Sequence, residues 1–219
     1  MAHETEIKLH VKDLSAFRRA LRKLGARAIS GWTGHVHEWN VLFDTPQKEL
    51  AGRDELLRIR TETPKRSNSK RPRPKAERVL LTFKRPIGGE QTETDSSRRP
   101  PQHKIREEIE LQVANARALT KIFEGLGLCG WFRYEKIRTT FRLPAARGWA
   151  KGLLIELDET PIGIFVELEG PPKAIDRAAK KLGFAKQDYI VTNYLSLYRE
   201  EYRRRGEEPG DMVFQKRNA

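Results

Sequence analysis

The chain has 219 residues, enough for one β domain with a real core or two small domains, and a formal net charge of +13. That basic excess points to an anionic partner: phosphates, nucleic acid or an acidic surface. A single cysteine, Cys129, excludes an internal disulfide framework, and no apolar run approaches the roughly 20 residues of a membrane span. The opening MAHETEIKLH is charged at once and has no apolar signal core, so a cytoplasmic protein with no membrane partner is expected.

In chain order, strands are expected near residues 3–11, 39–44, 55–62, 78–85, 104–112, 134–142, 152–158 and 164–169. Most alternate with period two, which sends successive side chains to opposite faces. One face carries Glu4, Glu6 and Lys8, then Arg58 and Arg60, then Thr82 and Lys84. It continues with Arg106, Glu108 and Glu110, then Lys136 and Arg138, then Glu156 and Asp158, then Glu167 and Glu169. The intervening residues are mostly apolar, such as Ile7 and Leu9, Leu57 and Ile59, or Ile155 and Leu157.

Helices interrupt the strands. The first, 13–24, starts from Asp13 or Ser15 as a cap and turns Leu14, Phe17, Leu21 and Leu24 to one side. The second, 115–126, starts at Asn115 and turns Leu119, Ile122, Phe123 and Leu126 inward. The third, 172–182, has Pro172 in its first turn and an apolar stripe of Ile175, Ala178, Ala179 and Leu182. Gly25, Gly127 and Gly183 follow the last apolar residue of each, as a C-terminal cap requires. A fourth helix is expected over 192–204 with Leu195, Tyr198 and Tyr202 inward. Segments 63–77, rich in Pro, Ser and basic residues, and 86–103, rich in Gly and Pro, read as loops. Residues 1–200 form a single domain and 201–219 a charged C-terminal tail.

Helices with one apolar stripe need an apolar sheet face to cover, so they pack on the uncharged side of the strands. The charged side is then a wet outer surface or the lining of a rolled sheet. About eight strands suffice to close a barrel. Charges of one sign tend to share a strand, as in the basic pairs Arg58/Arg60 and Lys136/Arg138 and the acidic pairs Glu108/Glu110 and Glu167/Glu169. Carboxylate pairs coordinate a hard divalent cation, while Arg and Lys suit phosphate oxygens. A cavity holding both suits a metal–polyphosphate complex.

At these residues the chain resembles the CYTH proteins, the triphosphate tunnel metalloenzymes, which include class IV adenylate cyclases, thiamine triphosphatases, inorganic triphosphatases and fungal RNA triphosphatases. Glu4-Thr-Glu6-Ile-Lys8 resembles their ExExK signature. FDTP (43–46), LLRIR (56–60), LTFKRP (81–86), REEIEL (106–111), YEKIRTTF (134–141) and LLIELDETPIGIFVELEG (153–170) resemble the later strands in the expected order. The resemblance covers roughly residues 2–200. It implies an α+β fold: a closed antiparallel eight-stranded β-barrel, with helices packed outside and charged side chains within. It further implies that Lys8, Arg58, Arg60, Lys84, Arg106, Lys136 and Arg138 bind a triphosphate. Glu4, Glu6, Glu108, Glu110, Asp158, Glu167 and Glu169 are implied to bind Mg²⁺ or Mn²⁺. Within that set Glu4, Glu6, Glu108 and Glu169 are the catalytic candidates, and Glu156 has the weakest claim of the acidic residues.

The implied reaction is metal-dependent hydrolysis of an inorganic, nucleoside or thiamine triphosphate. The alternative is a cyclase making cyclic AMP and pyrophosphate from ATP. A homodimer is compatible with this reading. A nucleic-acid-binding module is the rival of another class, favoured by the net charge and by Lys65, Arg66, Lys70, Arg71, Arg73 and Lys75. Against it, carboxylates alternate on the same strands and would repel a long polyanion. His35 and His37 are expected in a loop before the second strand, none of the five histidines has zinc-site spacing, and the tryptophans read as packing or rim residues.

Overall fold

The computed structural model describes residues 2–29, 34–65, 77–87, 102–145 and 147–215. Its strands are β1 (Ala2–His10), β2 (Arg27–Ala28), β3 (His35–Asp44), β4 (Leu56–Pro64), β5 (Arg78–Pro86), β6 (Lys104–Val113), β7 (Cys129–Arg142), β8 (Leu154–Thr160) and β9 (Gly163–Glu169). Eight of them close antiparallel in the order β7-β3-β4-β5-β6-β1-β9-β8, with β8 hydrogen-bonded back to β7. The short β2 adds to β7 at Arg27↔Arg142. Closure leaves the eight barrel strands without a free edge. The expected α+β barrel with external helices is therefore what the chain forms.

The helices are α1 (Leu14–Leu24), α2 (Glu49–Gly52), α3 (Ala116–Gly125), α4 (Pro172–Leu182) and α5 (Tyr194–Arg205). Capping follows local chemistry. The carboxylate of Asp13 accepts from the Ala16 N–H at 2.9 Å, and the side chain of Asn115 accepts from the Ala118 N–H at 3.0 Å. Gly25 and Gly183 end α1 and α4 in the left-handed region.

The apolar sheet face is covered unevenly. Ile7, Leu9, Ile155, Leu157, Val166 and Leu168 lie under α1 and α4, where Phe17, Leu21, Ile175 and Leu182 meet them. Each such side chain, fully buried, contributes about 1.5–3 kcal/mol. A second cluster lies on the inward face instead, where Tyr194 and Tyr198 of α5 meet Leu42, Phe132, Tyr134 and Phe165, with Met212 beside them. The third joins Phe123 of α3 to Phe43, Ile59 and Val79.

Several expectations change. Strand β3 begins at His35, four residues before the expected start, so His35 and His37 lie on it rather than in a loop. Their rings bond outward to Thr139 and Glu135, each at 2.8 Å. Helix α3 buries Phe123 and partly Leu119, but Ile122 and Leu126 are 58% and 72% exposed. Its inward stripe is narrower than expected because a single sheet face lies beneath it. Beyond α5 the chain returns to the barrel. Met212 is fully buried, and its N–H donates to the Arg133 carbonyl at 2.9 Å. Most of the loops expected at 63–77 and 86–103, and Trp32, lie outside the described residues.

Candidate active site in the barrel interior

The same alternation that buries Ile7 and Leu9 outward turns Glu4, Glu6 and Lys8 inward. Together the inner faces enclose a cavity of about 1020 Å³ lined by acidic and basic side chains. Every residue expected at the site lines it except Asp158, which is fully buried in the wall.

The centre of the cavity is tightly paired. Lys8 Nζ donates to Glu167 at 2.6 Å, and Lys136 Nζ to Asp158 at 3.0 Å. The guanidinium of Arg138 reaches Asp158 through Nε and Nη2, both at 2.7 Å, and also contacts Glu156 and Glu167. Tyr194 enters from the first turn of α5. Its hydroxyl donates to Asp158 at 2.8 Å, and the Lys8 ammonium lies 4.4 Å from its ring centroid. Burial alone would raise Glu167, but Lys8, Lys136 and Arg138 hold it well below the usual carboxylate range. Burial likewise disfavours the Lys8 cation, yet Glu167 and Glu6 raise it overall.

The β5–β6 side is looser. Lys84 Nζ contacts Glu4 at 2.5 Å and Glu108 at 3.3 Å. Arg60 reaches Glu62 at 3.3 Å and Glu110 at 3.2 Å. Arg106 is drawn to Asp54 at 2.5 Å, at the end of the loop that follows β3. That loop is shaped by Asp44 of the FDTP stretch, whose carboxylate accepts N–H bonds from Thr45, Leu50 and Ala51 at 2.8–2.9 Å. The aspartate is thus a turn-former that places the Arg106 partner.

Two features are left uncompensated. Arg58 is only 6% exposed, and its guanidinium donates to the Tyr134 hydroxyl at 2.9 Å and the Thr82 hydroxyl at 3.2 Å. Among the described residues it has no carboxylate partner. Conversely, Glu6 and Glu169 sit opposite each other across the β1–β9 ladder, and neither is salt-bridged among the described residues. Burial, then the charges of Glu156 and Glu4, push Glu169 up to about 8. Burial, against the pull of Arg138 and with the help of Asp158 and Glu167, pushes Glu156 up to about 7. Gly170 holds Glu169 here. A Cβ at that position would lie 2.6 Å from the Gly152 carbonyl oxygen, and the Gly170 N–H donates to the Thr5 carbonyl at 3.0 Å.

Among the described residues no three His, Cys, Asp or Glu side chains are already gathered as a metal cage. The donor chemistry nonetheless fits a hard divalent cation: crowded, partly buried carboxylate oxygens whose repulsion such an ion would relieve. Glu6 and Glu169, with no salt bridge among the described residues, would hold it, with Glu4 and Glu108, which share Lys84, and Glu110, which meets Arg60, beside them. Asp158 and Glu167 are instead occupied by cations.

Sequence reasoning missed Glu38, Asn40, Glu62, Lys104, Tyr134 and Tyr194. Starting β3 at residue 39 hid the inward series Val36, Glu38, Asn40, Leu42, whose alternation was present in the sequence. Glu62 extends the Arg58, Arg60 series by one step. Lys104 precedes Arg106 on the same face, and burial with Arg106 lowers it to about 8. Tyr194 had no periodic signal. Trp131 lines the rim, with Lys48 Nζ 4.3 Å from its ring centroid.

Residues 2–193 match the family model of the CYTH domain. Among solved structures, a putative adenylate cyclase from Vibrio parahaemolyticus is 18% identical with a TM-score of 0.64, covering 89% of this chain and 96% of that one. A protein from Pyrococcus horikoshii is 22% identical with a TM-score of 0.63, covering 90% and 99%. A putative adenylyl cyclase from Hippeastrum, described as having a dominant triphosphatase activity, is 20% identical with a TM-score of 0.51, covering 94% and 97%. No curated protein is found to match.

Proposed function

The chain belongs to the CYTH domain family, and on that footing we propose that it hydrolyses a triphosphate inside the barrel with the help of Mg²⁺ or Mn²⁺. One observation carries this reading: the cavity is missing charge of both signs. Among the described residues Arg58 is a buried cation with no salt-bridged carboxylate, while Glu6 and Glu169 face each other with no salt-bridged cation. A metal–triphosphate complex supplies both.

Arg58, Arg60, Lys84, Lys136 and Arg138 bind and align the phosphates, with Lys8 and Arg106 at the margins of the clamp. Phosphoryl transfer depends on such positioning and charge stabilisation more than on covalent chemistry. A bound divalent ion would supply charge neutralisation and polarise the attacking water. Glu4, Glu6, Glu108 and Glu169 would hold that ion, and one of them would accept the proton of the water. Glu110 supports them. Asp158 and Glu167 become free to join as the phosphates take over Lys8, Lys136 and Arg138. The protein acts in the cytoplasm, on a small-molecule substrate. Consistent with that, no described helix is long and apolar enough to cross a membrane.

The test is a product assay over inorganic triphosphate, ATP and thiamine triphosphate, each with Mg²⁺ and Mn²⁺. Released orthophosphate that disappears with chelator is expected. Cyclic AMP with pyrophosphate would establish the cyclase instead, and no product from any substrate would sink both. The Hippeastrum neighbour's described activity supports placing hydrolysis first.

A further inference from the structure

We propose that Glu38 sets how tightly the cavity holds phosphate products, as a permanent internal competitor for the cations that bind them. The substrate class is taken from the proposed function; the geometry stands without it.

Glu38 faces inward from β3, opposite Glu62 of β4 and Lys136 of β7. It is fully buried. Arg60 Nη1 and Arg138 Nε each lie 3.6 Å from its Oε1, and Lys136 Nζ lies 3.6 Å from its Oε2. None of these is a hydrogen bond, and neither carboxylate oxygen has a hydrogen-bond partner among the described residues. The same cations bond elsewhere: Lys136 to Asp158 at 3.0 Å, Arg138 to Asp158 at 2.7 Å, Arg60 to Glu110 at 3.2 Å. Glu38 therefore acts through its charge alone. Burial would favour its neutral form, but Lys136, Arg60, Arg138 and Arg58 keep it ionised.

This sets Glu38 apart from Asp158 and Glu167. A phosphate must exchange with those two, because they hold the clamp cations directly. It need not displace Glu38, whose field weakens the clamp before and after binding alike. Such a uniform effect changes affinity for substrate and product together and does not favour the transition state. At the intermediate screening of a protein cavity, a unit charge a few ångströms from a phosphate shifts affinity by at least about tenfold.

The experiment is calorimetric titration of the full chain with inorganic pyrophosphate and Mg²⁺, with thermal melts in parallel. Glu38→Gln is expected to bind pyrophosphate at least tenfold more tightly, to melt lower, and to show lower KM and lower kcat as product leaves slowly. A residue that merely props the fold would lower both the melt and the affinity, so unchanged or weaker pyrophosphate binding overturns the proposal. Should Glu38→Gln not fold, Asn40→Asp decides. Asn40 is the next inward residue on β3, fully buried with neither amide atom hydrogen-bonded among the described residues. A carboxylate there is expected to weaken pyrophosphate at least tenfold; unchanged or tighter binding overturns the proposal. Tighter binding by Glu38→Gln in a protein that hydrolyses no triphosphate would uphold this inference while removing the proposed function.

Discussion

The paired centre of the cavity and its acidic quarter use the same residue types on neighbouring strands, yet they hold charge in opposite ways. At the centre, Arg138 and Lys136 share Asp158 and Glu167, and Tyr194 completes the network. In the neighbouring quarter Glu6 and Glu169 have no salt bridge among the described residues, Glu4 and Glu156 beside them each hold a single cation, and Glu156 and Glu169 climb well above their usual range. The centre is stabilised as the chain stands. The quarter holds more negative than positive charge, and a bound cation would relieve it.

The sharpest way to break this comparison is to remove one member from each side. Arg138→Ala should cost about 3–5 kcal/mol of folding stability, because it strands several buried carboxylates. Denaturant titration measures it, and a loss below about 1 kcal/mol would mean the centre is not a network. Glu6→Gln should do the reverse: stability kept, but orthophosphate release cut at least about a hundredfold, or roughly 2.7 kcal/mol of barrier. Retained turnover would remove Glu6 from the machinery.

A smaller effect concerns pH. Glu169 titrates near 8 in the folded protein against a usual 4.5, so between those values the folded chain holds the extra proton. Stability of the metal-free protein should therefore fall as pH rises from about 5 to 8. Glu156, near 7, acts in the same direction. Melting curves should flatten across this window in Glu169→Gln, and Mg²⁺ should raise the melt most at the alkaline end. A metal-free melt that does not depend on pH would refute the crowding. Smallest of all, deleting residues 66–76 should leave orthophosphate release unchanged. Loss of nucleic-acid affinity on that deletion, measured by salt-dependent titration, would show that the basic stretch binds separately from the cavity.

Much of this arrangement was legible because one rule generates it. Period-two alternation places Glu4, Glu6, Arg58, Arg60, Lys136 and Arg138 on one face, and sheet closure turns that face inward. The pairing pattern was not legible. That Arg58 is salt-bridged to no carboxylate among the described residues while Arg138 is salt-bridged to four depends on how far the strands are staggered, which no single strand encodes. Glu38 was lost to a boundary drawn after it, since Trp39 and Asn40 look no more strand-like than the residues before them. Ile122 and Leu126 misled because helical spacing reports which residues share a face. It does not report how wide a surface waits to cover them.

The first strand has a kinetic consequence. Its hydrogen-bonding neighbours are β6 and β9, so Glu4 meets Arg106 only after nearly half the polypeptide intervenes, and Lys8 meets Glu167 only after more than half. As the chain is synthesised, Ile7 and Leu9 must wait without their final partners. Assembly is therefore dominated by long-range closure and should be slow for a domain of this size. A helper that shields the waiting segment would speed recovery from denaturant far more than one acting on the later hairpins.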